Sequence, residues 1–310
     1  MGAEGDEMKV PQTCPVAEAY RLACDWEVCA RKAGNVHLEA AFADMSADDF
    51  HASSAVTAPV VAQAVRRGVG PTILAAVRRR RRVTPVNTNL GILLLCVPLA
   101  AVPSSSGGGA RWLRQGVGRV LRRLSVADAD AAYRAIRLAN PGGLGRTSRA
   151  DVRSRPRIRL LTAMRLAASR DSIARQYANG FADVFNVGLP ALRRGRRLGW
   201  PLEDAILFCQ LRFLAQLGDS LIARKCGPAL SRQVRKQATA ILAAGWPDSS
   251  CSWRLWTEFD LWLRADGHRR NPGATADLVT ASLFAALRVG LLSPAAAECF
   301  RSRRFLISWP

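Results

Sequence analysis

A chain of 310 residues can bury one large core or two small ones, and its 49% apolar content excludes general disorder. Forty-five Lys and Arg against 24 Asp and Glu leave a net charge of +21, a field that attracts polyanions without saying which. Three histidines, no Gly-x-Ser-x-Gly, no His-Glu-x-x-His and no Cys-x-x-Cys remove the commonest hydrolase, zinc-enzyme and zinc-finger readings.

The first 15 residues lack the basic and apolar regions of a secretory leader and read as a flexible N-terminus. From there the texture is helical. "VAEAYRLACDWEVCARK" (16–32) carries apolar residues at three- and four-residue spacing. It ends near Gly34, a residue suited to a left-handed helix terminus. Lys32 and His37 would then flank an exposed turn able to hold phosphate, or the turn is ordinary helix termination with a solvated lysine. "SADD" (46–49) places Ser46 and Asp49 as a near capping box. The arginine runs between 65 and 83 are interleaved with aliphatic residues and no aromatic platform, so they read as a solvated helix face rather than a nucleic-acid surface.

"VNTNLGILLLCVPLA" (86–100) opens on small polar residues and continues as an aliphatic run. The apolar stretch 90–102 is interrupted by Pro98 and falls short of the about 20 residues a bilayer span needs. It reads as core, and no membrane partner is expected. Asn87, Thr88 and Asn89 can cap the helix that follows, or recognise a ribose or a base edge. "PSSSGGG" (103–109) is a surface loop. Ser125 and Asp128 repeat the capping device before a helix over 126–139, and "NPGGLG" (140–145) is a turn with backbone N–H groups for an anion. "RIRLLTAM" (157–164) is the nearest approach to a strand and reads equally well as a helix start. "EDAILFCQLRFLAQLG" (203–218) and "ATADLVTASLFAALRVG" (274–290) are long helices.

Two further segments share a pattern. In "GDSLIARKCG" (218–227) Asp219 starts a helix and Arg224 and Lys225 follow; in "RRNPGATADL" (269–278) a basic pair and a break precede Asp277. An aspartate near a helix start with cations beside it suits a magnesium–polyphosphate complex, and suits simple capping as well. The fold expected is all-α, a single multi-helix domain over 16–295 with a C-terminal tail over 296–310. The eight scattered cysteines read as reduced, packed thiols of a cytoplasmic protein.

Six blocks in order, "EVCARKAGNVH" (27–37), "VNTNLGILLLCVPLA" (86–100), "AIRLANPGGLGR" (135–146), "RDSIARQYANGFADVFNVGLP" (170–190), "DSLIARKCG" (219–227) and "LRADGHRRNPGATADLV" (263–279), resemble the triphosphoribosyl-dephospho-CoA synthase family. The resemblance implies an all-α transferase. ATP and dephospho-CoA would be its substrates, with adenine released, and Mg2+ would accompany the triphosphate. It places Glu27 and Asp183 as catalytic carboxylates, Asp183 doubling as a reserve metal ligand. Lys32, Gly34, His37, Asn87, Thr88, Asn89, Arg224, Lys225 and Gly273 become substrate-binding, and Asp219 and Asp277 ligands of Mg2+. A homodimer is among the expectations. The chain departs from lyase-associated members at two places. Lys32-Ala33-Gly34 stands for Lys-Pro-Gly, and Asn87-Thr88-Asn89-Leu90-Gly91 for Asn-Thr-His-Lys-Gly. The latter form resembles a branch associated with one-carbon metabolism, so an enzyme of pterin or furan carrier biosynthesis is the alternative. A basic nucleic-acid-binding protein is the third reading.

Overall fold

The computed structural model describes residues 14–300, apart from 106–107, 143–144 and 146–148 and the side chain of Cys299. Of the flexible start expected over 1–15 only Cys14, which is buried, and Pro15 are described, and the end of the expected tail falls outside the described residues. Fifteen α-helices are described. The first seven are α1 (Val16–Cys29), α2 (Ala47–Val61), α3 (Ala64–Arg67), α4 (Val69–Arg80), α5 (Leu90–Ala100), α6 (Ala110–Arg123) and α7 (Val126–Ala139). There follow α8 (Leu160–Ala167), α9 (Ser172–Asn179), α10 (Leu189–Arg197), α11 (Leu202–Leu217), α12 (Ser220–Cys226), α13 (Pro228–Ala243), α14 (Ser250–Arg264) and α15 (Gly273–Arg288). Extended structure is confined, among these residues, to β1 (Ala265–His268) and two isolated bridges within 37–45. The all-α expectation holds, and the 157–164 segment resolves as the start of α8.

Two helices organise the rest because they are apolar on every side. Every residue of α5 except Gly91 is buried, and α15 is buried from Leu278 to Arg288. Small residues of α15 let neighbours approach closely: a Cβ on Gly188 would fall 1.9 Å from Ser282 Oγ. Helix α15 packs against α1, α5 and α11, and α1 against α2.

Pro98 does not interrupt α5, contrary to the sequence expectation; the helix runs through it to Ala100. A proline inside a helix leaves the carbonyl four residues back without its usual N–H partner. Here that carbonyl is on Leu94, and the buried Tyr177 hydroxyl of α9 donates to it at 2.6 Å. The end of α5 is closed by Arg288 of α15, whose Nη1 and Nη2 donate to Leu99 O at 3.2 Å and Val102 O at 3.0 Å. Burial lowers the pKa of this arginine to about 10. Tyr177→Phe should leave the Leu94 carbonyl buried and unpaired, costing about 1–3 kcal/mol in urea unfolding. An unchanged midpoint would show that the carbonyl has another partner.

The capping boxes are where the sequence puts them. Ser125 Oγ accepts from Asp128 N at 3.0 Å while Asp128 Oδ2 accepts from Ser125 N at 2.8 Å, and Asp49 Oδ2 accepts from Ser46 N at 3.0 Å. One expectation about the arginine runs needs correcting. Arg78, Arg79, Arg81 and Arg82 are exposed, but Arg80 is only 1% exposed and donates to the carbonyls of Thr84 and Val86. It ties down the segment that leads into Asn87. No single described helix is long and apolar enough to cross a membrane; α11 and α12 together pass that test only with a 58° bend between them.

Candidate active site

A cavity of about 630 Å³ opens between α1, α5, α7, α8, α9, α12 and α15. Its wall contains carboxylates from five separate stretches: Glu27 of α1, Asp44, Asp151, Asp171 before α9 and Asp277 of α15. Four cations share it, Arg149, Arg170, Arg224 and Lys225. Between them lie amides, Asn35, Asn87, Asn140 and Asn271, and the glycines Gly91, Gly142 and Gly273. One side is apolar: Val36, Phe42, Met45 and Phe50 line the cavity and belong to a small hydrophobic cluster separate from the main core.

Asp277 is held by the start of α5. The Ile92 N–H donates to it, and a Cβ on Gly91 would meet its Oδ2 at 1.9 Å. Glycine is needed at 91 because a carboxylate occupies the space a side chain would take. Burial raises the Asp277 pKa well above the usual carboxylate range, and the nearby charges of Glu27, Asp219 and Asp171 raise it further. Three acids crowding one point favour a cation or a proton among them.

Glu27 is 3% exposed and its Oε1 lies 3.0 Å from Lys32 Nζ. Burial raises its pKa although the lysine opposes the shift. Arg224 Nη1 sits 2.5 Å from Asp171 Oδ2, while Asp171 Oδ1 accepts from Ile173 N and Ala174 N at 2.9 Å. One carboxylate therefore caps α9 and orients a cavity cation. Lys225 stands beside Gly142, its Cε 3.8 Å from where a Cβ there would lie. The expected anion turn at 140–145 does meet a lysine across the cavity, though Gly143 and Leu144 are not described.

Of the residues picked from sequence, Glu27, Asn87, Thr88, Arg224, Lys225, Gly273 and Asp277 line this one cavity. Asn87 also caps α5, its Oδ1 accepting from Leu90 N at 3.3 Å, and Thr88 Oγ1 shares a 2.6 Å hydrogen bond with Ser53 Oγ. Both uses that the sequence left open are thus compatible at Asn87.

The others lie elsewhere. The turn after α1 is not exposed: Ala30 through His37 are all buried. Lys32 Nζ donates to the carbonyls of Glu27 and Ala30 besides pairing with the Glu27 carboxylate, which occupies all three of its N–H groups. It fixes Glu27 rather than a phosphate. Gly34 adopts φ +72° as its type suggests, but beyond the last helical position, with its N–H on Asp260 Oδ1 at 2.6 Å and its Cα face against Leu263. His37 is 8% exposed; burial, with Arg264, Lys32 and Arg31 nearby, lowers its pKa to about 3, so it is neutral and offers no positive charge.

Asn89 is buried at the N-cap of α5, both side-chain polar atoms without a hydrogen-bond partner among the described residues. Asp183 is held by Arg175 Nε at 2.8 Å, Gln176 Nε2 at 2.6 Å and Asn179 Nδ2 at 3.2 Å. Burial pushes its pKa up, but these donors win and hold it below the usual range. Asp219 accepts four bonds, from Leu221 N, Ile222 N, Thr275 N and Thr275 Oγ1, all between 2.8 and 3.0 Å. It joins the starts of α12 and α15 and has no lone pair directed at a ligand.

Asp171, Arg170, Asn35 and Asn271 were missed. "RDS" at 170–172 repeats the cation-free "GDS" cap of 218–220 with an arginine in front, which was the available signal. Asn35 had none, since its place depends on distant helices. Its Nδ2 donates to Asn271 Oδ1 at 2.6 Å and its Oδ1 accepts from Gln210 Nε2 at 2.9 Å.

Known proteins resemble this chain in sequence and in fold. Curated relatives in Pseudomonas putida and Azotobacter vinelandii, each assigned as a probable 2-(5''-triphosphoribosyl)-3'-dephosphocoenzyme-A synthase, are 36% and 35% identical over 112 residues. Those matches span 35% and 36% of this chain and only 38% of the length of either relative. A crystal structure of a chain assigned as a triphosphoribosyl-dephospho-CoA synthase from Archaeoglobus fulgidus superposes with a TM-score of 0.59 at 25% identity, covering 77% of this chain and 98% of that one. The family model of the ATP:dephospho-CoA triphosphoribosyl transferases matches residues 14–293, and the chain belongs to that family.

Proposed function

We propose that this protein transfers the triphosphoribosyl group of ATP to the ribose 2'-hydroxyl of 3'-dephospho-CoA and releases adenine. The observation that carries this reading is the shared cavity, where Glu27, Asp171 and Asp277 stand with Arg170, Arg224 and Lys225. In the reaction the bond from the ribose C1' to the adenine nitrogen breaks, and the acceptor oxygen bonds to C1' while its proton leaves. Positive charge grows on the sugar as this happens, and preformed negative groups near it lower the barrier.

Glu27 is the group to take the acceptor proton. It lines the cavity, Lys32 fixes its orientation, and burial makes it a stronger base than a solvated glutamate. Arg170, Arg224 and Lys225 are the cations to grip the triphosphate, and Asn87 and Asn271 the amides to hold ribose or base edges. Gly273, the first residue of α15, lines the cavity where the positive end of the helix dipole favours an anion.

The described residues contain no group of three or more His, Cys, Asp or Glu arranged to ligate a metal. Magnesium needs no such cage, since it is commonly held by one or two carboxylates with substrate phosphates and water. Asp277, pressed among like charges, fits that mode with Asp171 beside it; Asp219, with its lone pairs taken, does not. When bound, Mg2+ would neutralise triphosphate charge.

A different acceptor is a second reading, and Leu90 favours it. This leucine lines the cavity at the position where the lyase-associated motif has lysine, so the wall there is apolar. Both readings are tested by incubating the protein with ATP and Mg2+, with or without dephospho-CoA, and measuring adenine by chromatography. Adenine release that depends on dephospho-CoA is the expected result. Release with ATP alone would make water or a co-purified molecule the acceptor, and no release in either incubation would overturn the dephospho-CoA reading and leave the different acceptor.

A further inference from the structure

Cys29, His51 and Asp25 are outside the cavity wall, yet they are arranged as a nucleophile, a base and an orienting carboxylate. The Cys29 Sγ lies 3.9 Å from His51 Nε2, and His51 Nδ1 lies 3.1 Å from Asp25 Oδ1. Asp25 Oδ1 also accepts from Ser54 Oγ at 2.8 Å, and its Oδ2 is paired with Arg21 Nη1 at 2.8 Å. Asp25 and Cys29 are four residues apart on α1, hence on one face, and His51 and Ser54 are three apart on the facing side of α2. Glu27 lies between them in sequence and on the opposite side of α1, so the two sets of chemistry are separate.

With one imidazole nitrogen engaged by a carboxylate, the other is set to take the thiol proton, which leaves a thiolate–imidazolium pair. The negative end of α1 opposes a thiolate at its last residue, and the same end favours the imidazolium beside it, so the ion pair as a whole loses little. Access is present: Cys29 is partly exposed and the His51 side chain is 35% exposed. Cys14, Cys24, Cys96 and Cys209 are buried, whereas Cys251 is exposed, with no imidazole against it among the described residues.

We propose that Cys29, His51 and Asp25 form a peroxide-reactive thiol site, carrying sulfenic acid as its oxidised form. The thiolate sulfur attacks one oxygen of hydrogen peroxide and the O–O bond breaks. Sulfur loses two electrons and becomes Cys–SOH; the departing hydroxide takes the His51 proton and leaves as water. A further thiol then attacks the sulfenic sulfur, giving a mixed disulfide and water, from which a second thiol regenerates Cys29.

The test uses the full chain and two probes, iodoacetamide and hydrogen peroxide, with peptides resolved by mass spectrometry. At neutral pH Cys29 should be alkylated about tenfold faster than Cys251, because an ordinary thiol is only a few per cent thiolate there. His51→Gln should bring the Cys29 rate down to that of Cys251. Low hydrogen peroxide followed by a 1,3-diketone trap should label Cys29 and leave Cys251 unmarked. A native Cys29 no faster than Cys251, or one whose rate is unchanged in a His51→Gln protein of unaltered circular dichroism, overturns the proposal. So does failure of the trap on Cys29, and neither native-protein measurement depends on any variant folding.

Discussion

Asp277→Asn should lower adenine release by about 10²–10³-fold, the range lost when one preformed electrostatic group is taken from a transition state, without lowering thermal stability. The stability half of that expectation comes from the direction of the pKa shift. Burial and three neighbouring acids raise the Asp277 pKa well above its unfolded value. A group shifted this way favours folding fully only below its unfolded pKa, and that contribution is lost as pH rises through the folded one. At neutral pH, above its unfolded pKa, the aspartate therefore costs stability, and the amide, able to accept from Ile92 N–H in the same way, removes the cost. A melting temperature equal to or above that of the native chain, with a native circular dichroism spectrum and that much lower turnover, is the expected pattern. Full activity would take Asp277 out of the site, and a large loss of stability would make it a packing residue.

Lys32→Met should act in the opposite manner, on folding first. Removing the lysine leaves Glu27 as a buried carboxylate with its partner gone, a loss of about 3–5 kcal/mol. The pH signature follows from the same linkage. Without Lys32 the Glu27 pKa, already raised, has nothing to oppose burial, so the defect is largest at neutral pH and shrinks as falling pH protonates Glu27. Adding Glu27→Leu to Lys32→Met should return most of the lost stability, because neither charge of this pair then remains buried without its partner. Activity should stay absent in the double variant. Were Lys32 instead a phosphate ligand, the single variant would unfold like the native chain and show only a raised KM for ATP.

The contrast between these two residues shows what the sequence could convey. Helical spacing, the Ser125 and Ser46 caps and the start of α12 at Asp219 are local properties, written within a few residues, and the structure has them where expected. Charge is local too, but its direction is not. Lys32 sits in a segment whose surroundings come from far along the chain: Arg31 makes two side-chain bonds to Glu203 at 2.8 and 2.7 Å, and Ala33 exchanges two with Gln210. Nothing near residue 32 announces that α11 will cover the turn. Pro98 misled for the same reason, since the tyrosine that satisfies its orphaned carbonyl is 79 positions on from it. Asp219 misled differently: the aspartate-plus-cations pattern fits a cap and a metal ligand alike, and only its four donors separate the two. What did carry through was the convergence of Glu27, Asn87, Arg224, Lys225 and Asp277 on one cavity.

The contact of Gly91 with Asp277 bears on how such chains can diverge. Any β-carbon at 91 would overlap the aspartate oxygen, so position 91 is not free to change while Asp277 stays where it is. Enlarging the first requires that the second retract, and with it the acid that faces the cavity. A lineage shedding this chemistry could begin at either end, but a descendant that keeps the acid has a single permitted residue opposite. A side chain in place of this glycine would thus mark a chain in which the acid opposite has moved or been lost.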